Sequence, residues 1–187
     1  SFIEFILARI VAGAGAGIIL TIGQIILADI SSPDRRGRNI ATYQAASGAG
    51  AAAMDELVES TRANLEGRSF QPKVLPHPYA FNLFNHNTAI DPTTGYNDEE
   101  TKVIKETRKI FEDEKIAVGV TCVRVPVLRA HSEAITFECE KPITEDQVRA
   151  IMAQAPGVKI VDDRAKNYFP MPIDASGQDD VLVGRIR

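Results

Sequence analysis

The chain has little of what usually announces a binding chemistry. Its two cysteines, Cys122 and Cys139, stand far apart and form no CxxC pair. That excludes a disulfide scaffold or structural zinc site and fits a reducing compartment. Its 3 histidines, His77, His86 and His131, are scattered, so no metal is expected. With 21 Lys+Arg against 25 Asp+Glu the formal charge is −4. No basic field is available to attract nucleic acid. Runs of like charge and low-complexity tracts are absent too. The length, 187 residues, suits one domain or one domain with an appendage.

Charge is missing for longest between Ile10 and Ala28, where only Thr21 and Gln24 are clearly polar. At about 1.5 Å per residue such a helix is roughly 28 Å long, close to a bilayer's hydrocarbon thickness. Gly13 and Gly17 have the GxxxG spacing that lets a second membrane helix approach. Arg9 precedes the run, and Asp29, Pro33, Asp34, Arg35, Arg36, Gly37 and Arg38 follow it. Two readings stay open, a membrane span and a buried apolar helix of a soluble domain. A cleaved secretory signal fits poorly, because Glu4 and Arg9 are mixed ahead of an unusually long run. With its Gly13-Ala14-Gly15-Ala16-Gly17 run and Arg36-Gly37-Arg38, the segment resembles a transmembrane helix and loop of a major-facilitator transporter. One such helix makes no transport pathway. The composition changes near residue 40, dividing an apolar helix and basic loop (1–40) from an acidic α+β domain (41–187).

Within that domain Thr42–Ala46 has the pattern of a short strand. Ser47 is expected to cap a helix reaching Leu65, with Met54, Leu57 and Val58 inward. Gly48 to Ala53 matches GxGxxA, but no strand-helix-strand unit with a suitably spaced acidic residue follows. What survives of the motif is a helix N-terminus of small residues, with backbone N–H groups open to an anion or amide. Residues 66–92, with Pro72, Pro76, Pro78 and Pro92, form an extended connection. Asn97 and Glu100 make a capping box before a helix whose inward stripe is Val103, Ile104, Thr107, Ile110 and Phe111. Glu99 and Lys102, three apart in its first turn, form either a solvated ion pair or a charged pair offered to a polar ligand. Ile116, Val118, Val120 and Cys122 alternate as one buried strand face, and Ile135, Phe137 and Cys139 as another. Thr144 and Gln147 cap a helix carrying Val148, Ile151 and Met152. Val158–Val161 and Val181–Ile186 close the series as strands. The fold class is therefore α+β, with a mostly antiparallel or mixed sheet covered by helices on one face and an apolar helix before it.

Chemistry concentrates in Arg124-Val125-Pro126-Val127-Leu128-Arg129-Ala130-His131-Ser132-Glu133. On an unbroken strand Arg124 and His131, seven apart, face opposite ways. Pro126 belongs at a strand end, an edge or a bulge, and a break there would bring both groups into one pocket. Arginine offers a planar fork for a carboxylate or phosphate. Histidine is the side chain most easily set up as an acid or base near neutral pH. Such a pair at a strand end has a purely structural reading as well.

Four ordered blocks carry a more specific resemblance. Thr42-Tyr43-Gln44-Ala45-Ala46-Ser47-Gly48-Ala49-Gly50, Gly95-Tyr96-Asn97-Asp98-Glu99-Glu100-Thr101-Lys102, the two halves of Thr121–Glu133, and Val183-Gly184-Arg185-Ile186-Arg187 are similar to segments of aspartate-semialdehyde dehydrogenase. The resemblance implies the glyceraldehyde-3-phosphate-dehydrogenase-like C-terminal domain that holds substrate and dimerises. It also implies an NADP-dependent, phosphorylating aldehyde dehydrogenase of amino-acid biosynthesis, interconverting aspartyl phosphate and aspartate semialdehyde through a cysteine thioester. By position, His131 would be the acid/base partner of that cysteine and Gln44 would position the acyl group. Arg124 would hold the substrate carboxylate, Glu99 its amine and Lys102 the phosphate. Ser47, Gly48 and Gln178 would meet the nicotinamide half of NADP. A homodimer in the cytoplasm or plastid stroma is the family expectation, with a membrane location if residues 10–28 insert.

The departures from the family shape the expected activity. A glycine-rich Rossmann half and the Asn-Cys nucleophile segment do not precede Thr42, and the chain stops at Arg187, before the family's last helix. Cys122 and Cys139 occupy inward strand positions, where cysteine behaves as a small apolar residue. The expectation is a domain clipped at both ends and inactive alone. A non-catalytic dimerising module and a membrane-anchored hybrid or misassembled gene product are the alternatives.

Overall fold

The computed structural model describes residues 37–139 and 141–187. The apolar helix expected over 10–28, with its membrane and transporter-like readings, lies outside the described residues. Among the described residues no helix is long and apolar enough to cross a membrane.

In chain order come β1 (Gly37–Gln44), a 3-10 turn (Ala46–Ala49), α1 (Ala51–Leu65), β2 (Phe84–Asn85) and α2 (Asp98–Phe111). Then follow β3 (Ala117–Arg124), β4 (Ser132–Glu138), α3 (Glu145–Gln154), β5 (Val158–Ile160), α4 (Pro172–Ala175) and β6 (Val181–Val183). Four strands form one sheet in the order β2-β3-β1-β4, and β5 and β6 form a second, two-stranded sheet. β1 runs parallel to β3 and antiparallel to β4, and β2 is antiparallel to β3. The sheet is mixed because the connection from β1 to β3 passes through α1 and α2, long enough to return the chain in the same direction. β1 starts at Gly37, within the stretch that composition assigns to the basic loop.

Helix α2 follows its sequence signals closely. The Asn97 side chain accepts from the Glu100 amide, and the Glu100 side chain accepts from the Asn97 amide. Acidic residues fill its first turn and Arg108 and Lys109 its last, both favourable to the helix dipole. Val103, Thr107 and Phe111 are buried, and Val103 packs with Ile40, Val120 and Cys122 between helix and sheet. The Glu100 carboxylate also reaches the sheet, where its Oε1 accepts the Cys122 amide at 3.0 Å. Beside the very short β2, that carboxylate satisfies a buried N–H that the ladder leaves unpaired. The capping box of α3, Thr144 with Gln147, is also present, over buried Val148 and Met152.

Elsewhere tertiary contacts move the boundaries. Ser47 does not cap α1; it lies in the 3-10 turn, and the helix starts at Ala51 behind Gly50, whose φ is 93°. The reason is that the Ala46 and Ser47 amides donate to the Val127 and Leu128 carbonyls at 2.8 and 2.9 Å, which holds the chain out of the helix for one more turn. The inward stripe of α1 then becomes Ala53, Glu56, Leu57, Ser60 and Ala63. Val58 faces out, and Met54 only partly packs on the core. Ile135 is exposed as well, because among the described residues β4 pairs only with β1 and forms the sheet edge. Val161 and Gly184–Ile186 fall outside β5 and β6, which stop after three residues each.

Buried Glu56 anchors the extended connection. Its carboxylate accepts the amides of Lys73, Val74 and Leu75 at 2.5, 2.7 and 3.0 Å. Burial alone would raise its pKa, but those three backbone hydrogen bonds outweigh it and hold the carboxyl below its ordinary value. The connection then delivers Tyr79, whose hydroxyl donates to the Gln44 carbonyl at 3.4 Å, to the end of β1.

Candidate functional site

The site forms where β1 leaves the sheet. In the parallel ladder Gln44 is in register with Arg124, so the two side chains lie on one face. β3 stops at Arg124, and Pro126 follows in the turn. Ala130 adopts φ 67°, the left-handed conformation that non-glycine residues seldom take. That turn carries the chain across the end of β1 to start β4 at Ser132. Arg124 therefore flanks β1 from one side and His131 from the other, and seven residues of separation become a convergence.

Ala45, fully buried, sits between them. Its carbonyl accepts from Arg124 Nη1 at 3.2 Å, and its amide donates to His131 Nδ1 at 3.3 Å. A Cβ added to Gly48 would stand 2.8 Å from His131 Cε1 and Nε2 and 3.4 Å from Arg124 Nη1. A bare Cα at position 48 is thus what lets both heads reach the same place. Burial, with the Arg124 guanidinium next, pulls the His131 pKa down to about 4, so the imidazole is neutral at physiological pH.

Arg124 is only 4% exposed. Besides the Ala45 carbonyl, it donates from Nε to Asn87 Oδ1 at 3.3 Å and from Nη2 to His86 Nε2 at 2.8 Å. All three acceptors are neutral. Among the described residues no carboxylate pairs with this buried cation. The nearest acidic influence comes from Glu99, which accepts from Gln44 Nε2 at 3.5 Å and pairs with Lys102 Nζ at 3.3 Å. Lys102 reaches out at the rim, half exposed, while Glu99 is mostly covered. The first turn of α2 is held there by the β2 side of the sheet. Asn97 Nδ2 donates to Asn85 Oδ1 at 3.3 Å, and the Glu99 amide donates to Thr88 Oγ1 at 3.4 Å.

A row runs from Lys102 through Glu99, Gln44 and the Ala45 peptide to Arg124 and His131. It joins five of the residues singled out in the sequence, and Ser47 and Gly48 border it in the 3-10 turn. In the turn itself Ala46, Ser47, Gly48 and Gly50 spend their N–H groups on backbone carbonyls, whereas α1 begins at Ala51 with no side-chain cap on its first amides. The turn itself adds the Ser47 hydroxyl and a Gly48 Cα against which the His131 ring packs. Gln178 does not join the row; it is exposed after α4 and donates to the Asp174 carbonyl. His86 and Asn87 are the residues that reading the sequence missed. Their signal was weak, a His-Asn pair in a proline-rich connection, and only the pairing of Phe84 with Arg124 and Asn85 with Val123 brings them to the guanidinium.

Cys122 is an unsuitable nucleophile. It is fully buried, and burial pushes its thiol up to about 12. Cys139 lies just past β4, eight residues from His131, or about 26 Å along an extended strand.

Comparison with known proteins shows the family. A family model described as the semialdehyde dehydrogenase dimerisation domain matches residues 33–187. The aspartate-semialdehyde dehydrogenase of Synechocystis is 57% identical over 148 residues, covering 79% of this chain and 44% of the relative. The crystal structure of aspartate semialdehyde dehydrogenase II from Vibrio cholerae superposes with TM-score 0.80 at 36% identity, covering 91% of this chain and 49% of that one. The same protein has also been solved complexed with ASA. A Candida albicans aspartate semialdehyde dehydrogenase solved with NADP shares 18% identity at TM-score 0.58, covering 90% of this chain and 45% of its own, which carries the fold alone. The chain spans under half the length of these relatives. With its mixed sheet, and with Gln44, Arg124 and His131 meeting where β1 ends, this chain belongs to the semialdehyde dehydrogenase dimerisation-domain family.

Proposed function

We propose that this chain supplies the substrate-holding and acid/base half of an NADP-dependent, phosphorylating aspartate-semialdehyde dehydrogenase. The observation that carries this reading is Arg124, a buried guanidinium surrounded by neutral acceptors and placed beside His131. Burying a cation without an ionic partner costs several kcal/mol, and an anionic ligand would offset that cost. Arg124 binds the substrate carboxylate, Glu99 the amine, Lys102 the phosphate, and Gln44 orients the acyl group between them. His131 serves the reacting carbonyl. Ser47 and Gly48 border the place for the nicotinamide of NADP, which when bound supplies the hydride-transfer chemistry; Gln178, turned toward Asp174, is the weakest member of that set. Neither Cys122 nor Cys139 can form the thioester, so the attacking sulfur comes from another segment. The domain organisation follows from this: the substrate and dimerisation part includes all of β1 and so begins ahead of residue 41.

Calorimetric titration of the chain with aspartate semialdehyde tests the assignment. Saturable binding is expected, weakened about 30-fold or more in Arg124→Leu, since truncating one side of a buried charge pair costs about 2–5 kcal/mol. No NADPH turnover should accompany it. Equal binding by both proteins, or ordinary turnover by the chain, would sink the reading.

The family description also favours a homodimer, and we infer that the face of the sheet opposite α2 forms its interface. Asn39, Tyr43, Thr121, Ala134 and Thr136 are exposed there, uncharged and mostly small. Light scattering should show two copies per particle, and a monomer at all concentrations would rule this out.

A further inference from the structure

Two imidazoles flank Arg124, and in each the role of one nitrogen is dictated by its neighbour. Arginine has no acceptor, so the 2.8 Å contact between Arg124 Nη2 and His86 Nε2 requires a lone pair on Nε2. His86 must then carry its proton on Nδ1, where Thr88 Oγ1 lies at 3.2 Å and can accept it. A backbone amide is likewise a donor only. The 3.3 Å contact from the Ala45 amide to His131 Nδ1 requires the lone pair on Nδ1, which leaves the proton of a neutral ring on Nε2.

We propose that His86 and His131 are locked as opposite tautomers, and that His131 therefore enters the site as a neutral hydrogen-bond donor through Nε2. This rests on the reading of the site given above. The Nε2 atom lies against the Cα of Gly48, with Arg124 Nη1 close beside it. A donor on Nε2, next to the guanidinium that holds the substrate carboxylate, suits an oxygen that carries or develops negative charge, such as that of an acyl group under attack. The Ala45 amide is the positioning group, because it sets which nitrogen holds the proton. Of the groups acting most strongly on the ring, Arg124, His86 and Lys102 oppose a second proton and Glu99 favours one. A thiol cannot hand its proton to Nε2 in this tautomer, so an attacking sulfur has to arrive as thiolate or wait until that position is vacated.

Long-range 1H–15N correlation spectra of the 15N-labelled chain at pH 7 read tautomers directly. The three histidine signals are assigned with His77→Gln, His86→Gln and His131→Gln variants. The expected result is an Nδ1–H pattern for His86 and an Nε2–H pattern for His131. The same tautomer for both, or a doubly protonated His131 at pH 7, would overturn the proposal. Gly48→Ala sharpens the test: its Cβ must push the His131 ring off the Ala45 amide, so the His131 pattern should average while that of His86 stays. A His131 pattern unchanged in that variant would count against the amide as the cause. The wild-type spectrum decides the tautomers even if Gly48→Ala fails to fold. Because no ligand is present in these spectra, failure to bind aspartate semialdehyde and failure of the tautomer pattern are separate results.

Discussion

Two arginines of this molecule are held in opposite ways. In the C-terminal part Arg149 meets carboxylates on two sides, Glu145 at 2.9 Å and Asp162 at 2.5 Å. The Asp162 side chain is fully covered, and it also accepts the Ile186 amide at 3.2 Å. Arg164 extends the group through Glu145 and the Ile186 carbonyl. These charges close on one another and tie α3 to the end of the chain. At the exit of β1, Arg124 is more deeply buried yet among the described residues hydrogen-bonds only to a carbonyl, an amide oxygen and an imidazole. A cation that holds the fold together is given its counter-charge by the fold. Among the described residues Arg124 is given none, as its proposed role in holding an anionic ligand requires.

Exchanging each arginine for leucine tests that contrast most strongly. Arg124→Leu should weaken aspartate semialdehyde binding about 30-fold or more while the unfolding midpoint moves little. Arg149→Leu should leave binding unchanged and lower the midpoint by several degrees, because covered Asp162 loses its partner. Calorimetry and thermal unfolding on both variants check this, and an equal loss of stability in the two would erase the distinction.

A smaller effect concerns pH. The two histidines with shifted pKa values, His86 and His131, both lie at the site. His131 is pulled down to about 4 and His86 is lowered in the same direction. Between the folded value and the unfolded value near 6.5 the unfolded chain binds the proton and the folded chain does not. Stability is therefore complete above about 6.5 and falls as pH drops toward 4, by roughly 3 kcal/mol for His131. Denaturant unfolding at pH 7, 5.5 and 4.5 should show the slope, and His131→Gln should flatten most of it. An unchanged slope in that variant would place the titration elsewhere.

The smallest effect compares two left-handed residues, Ala130 at φ 67° by the site and Asn167 at φ 52° in the C-terminal part. Asparagine tolerates this conformation far better than alanine. Ala130→Gly should stabilise by at most about 1 kcal/mol, the relief of strain being partly cancelled by a freer unfolded chain. Asn167→Gly should gain less. Urea midpoints for both resolve the difference, and a larger gain at 167 would argue against strain at 130.

The helices with paired signals were legible in advance. Asn97 with Glu100, and Thr144 with Gln147, are local devices whose partners lie three residues away, and no distant contact competes with them. The start of α1 was not legible, since the carbonyls that hold Ala46 and Ser47 back belong to Val127 and Leu128. Val58 and Ile135 went astray for related reasons, one because the helix begins later, the other because its strand ended at a sheet edge. His86 and Asn87 escaped notice because β2 is two residues long, and its pairing with β3 has no local signature.

What the sequence determined by itself is the chemistry on offer: a guanidinium, an imidazole, a carboxylate and an ammonium, with two capped helices to carry part of it. Family likeness in four blocks supplied their expected partners. Only the tertiary structure decided that Arg124 and His131 meet, because β1 threads between two strands that run in opposite directions and the chain turns at Ala130 to pass from one to the other. It also decided which nitrogen of each imidazole bears the proton. Side-chain type belongs to a residue alone, whereas orientation and protonation depend on neighbours that the chain brings together only when folded.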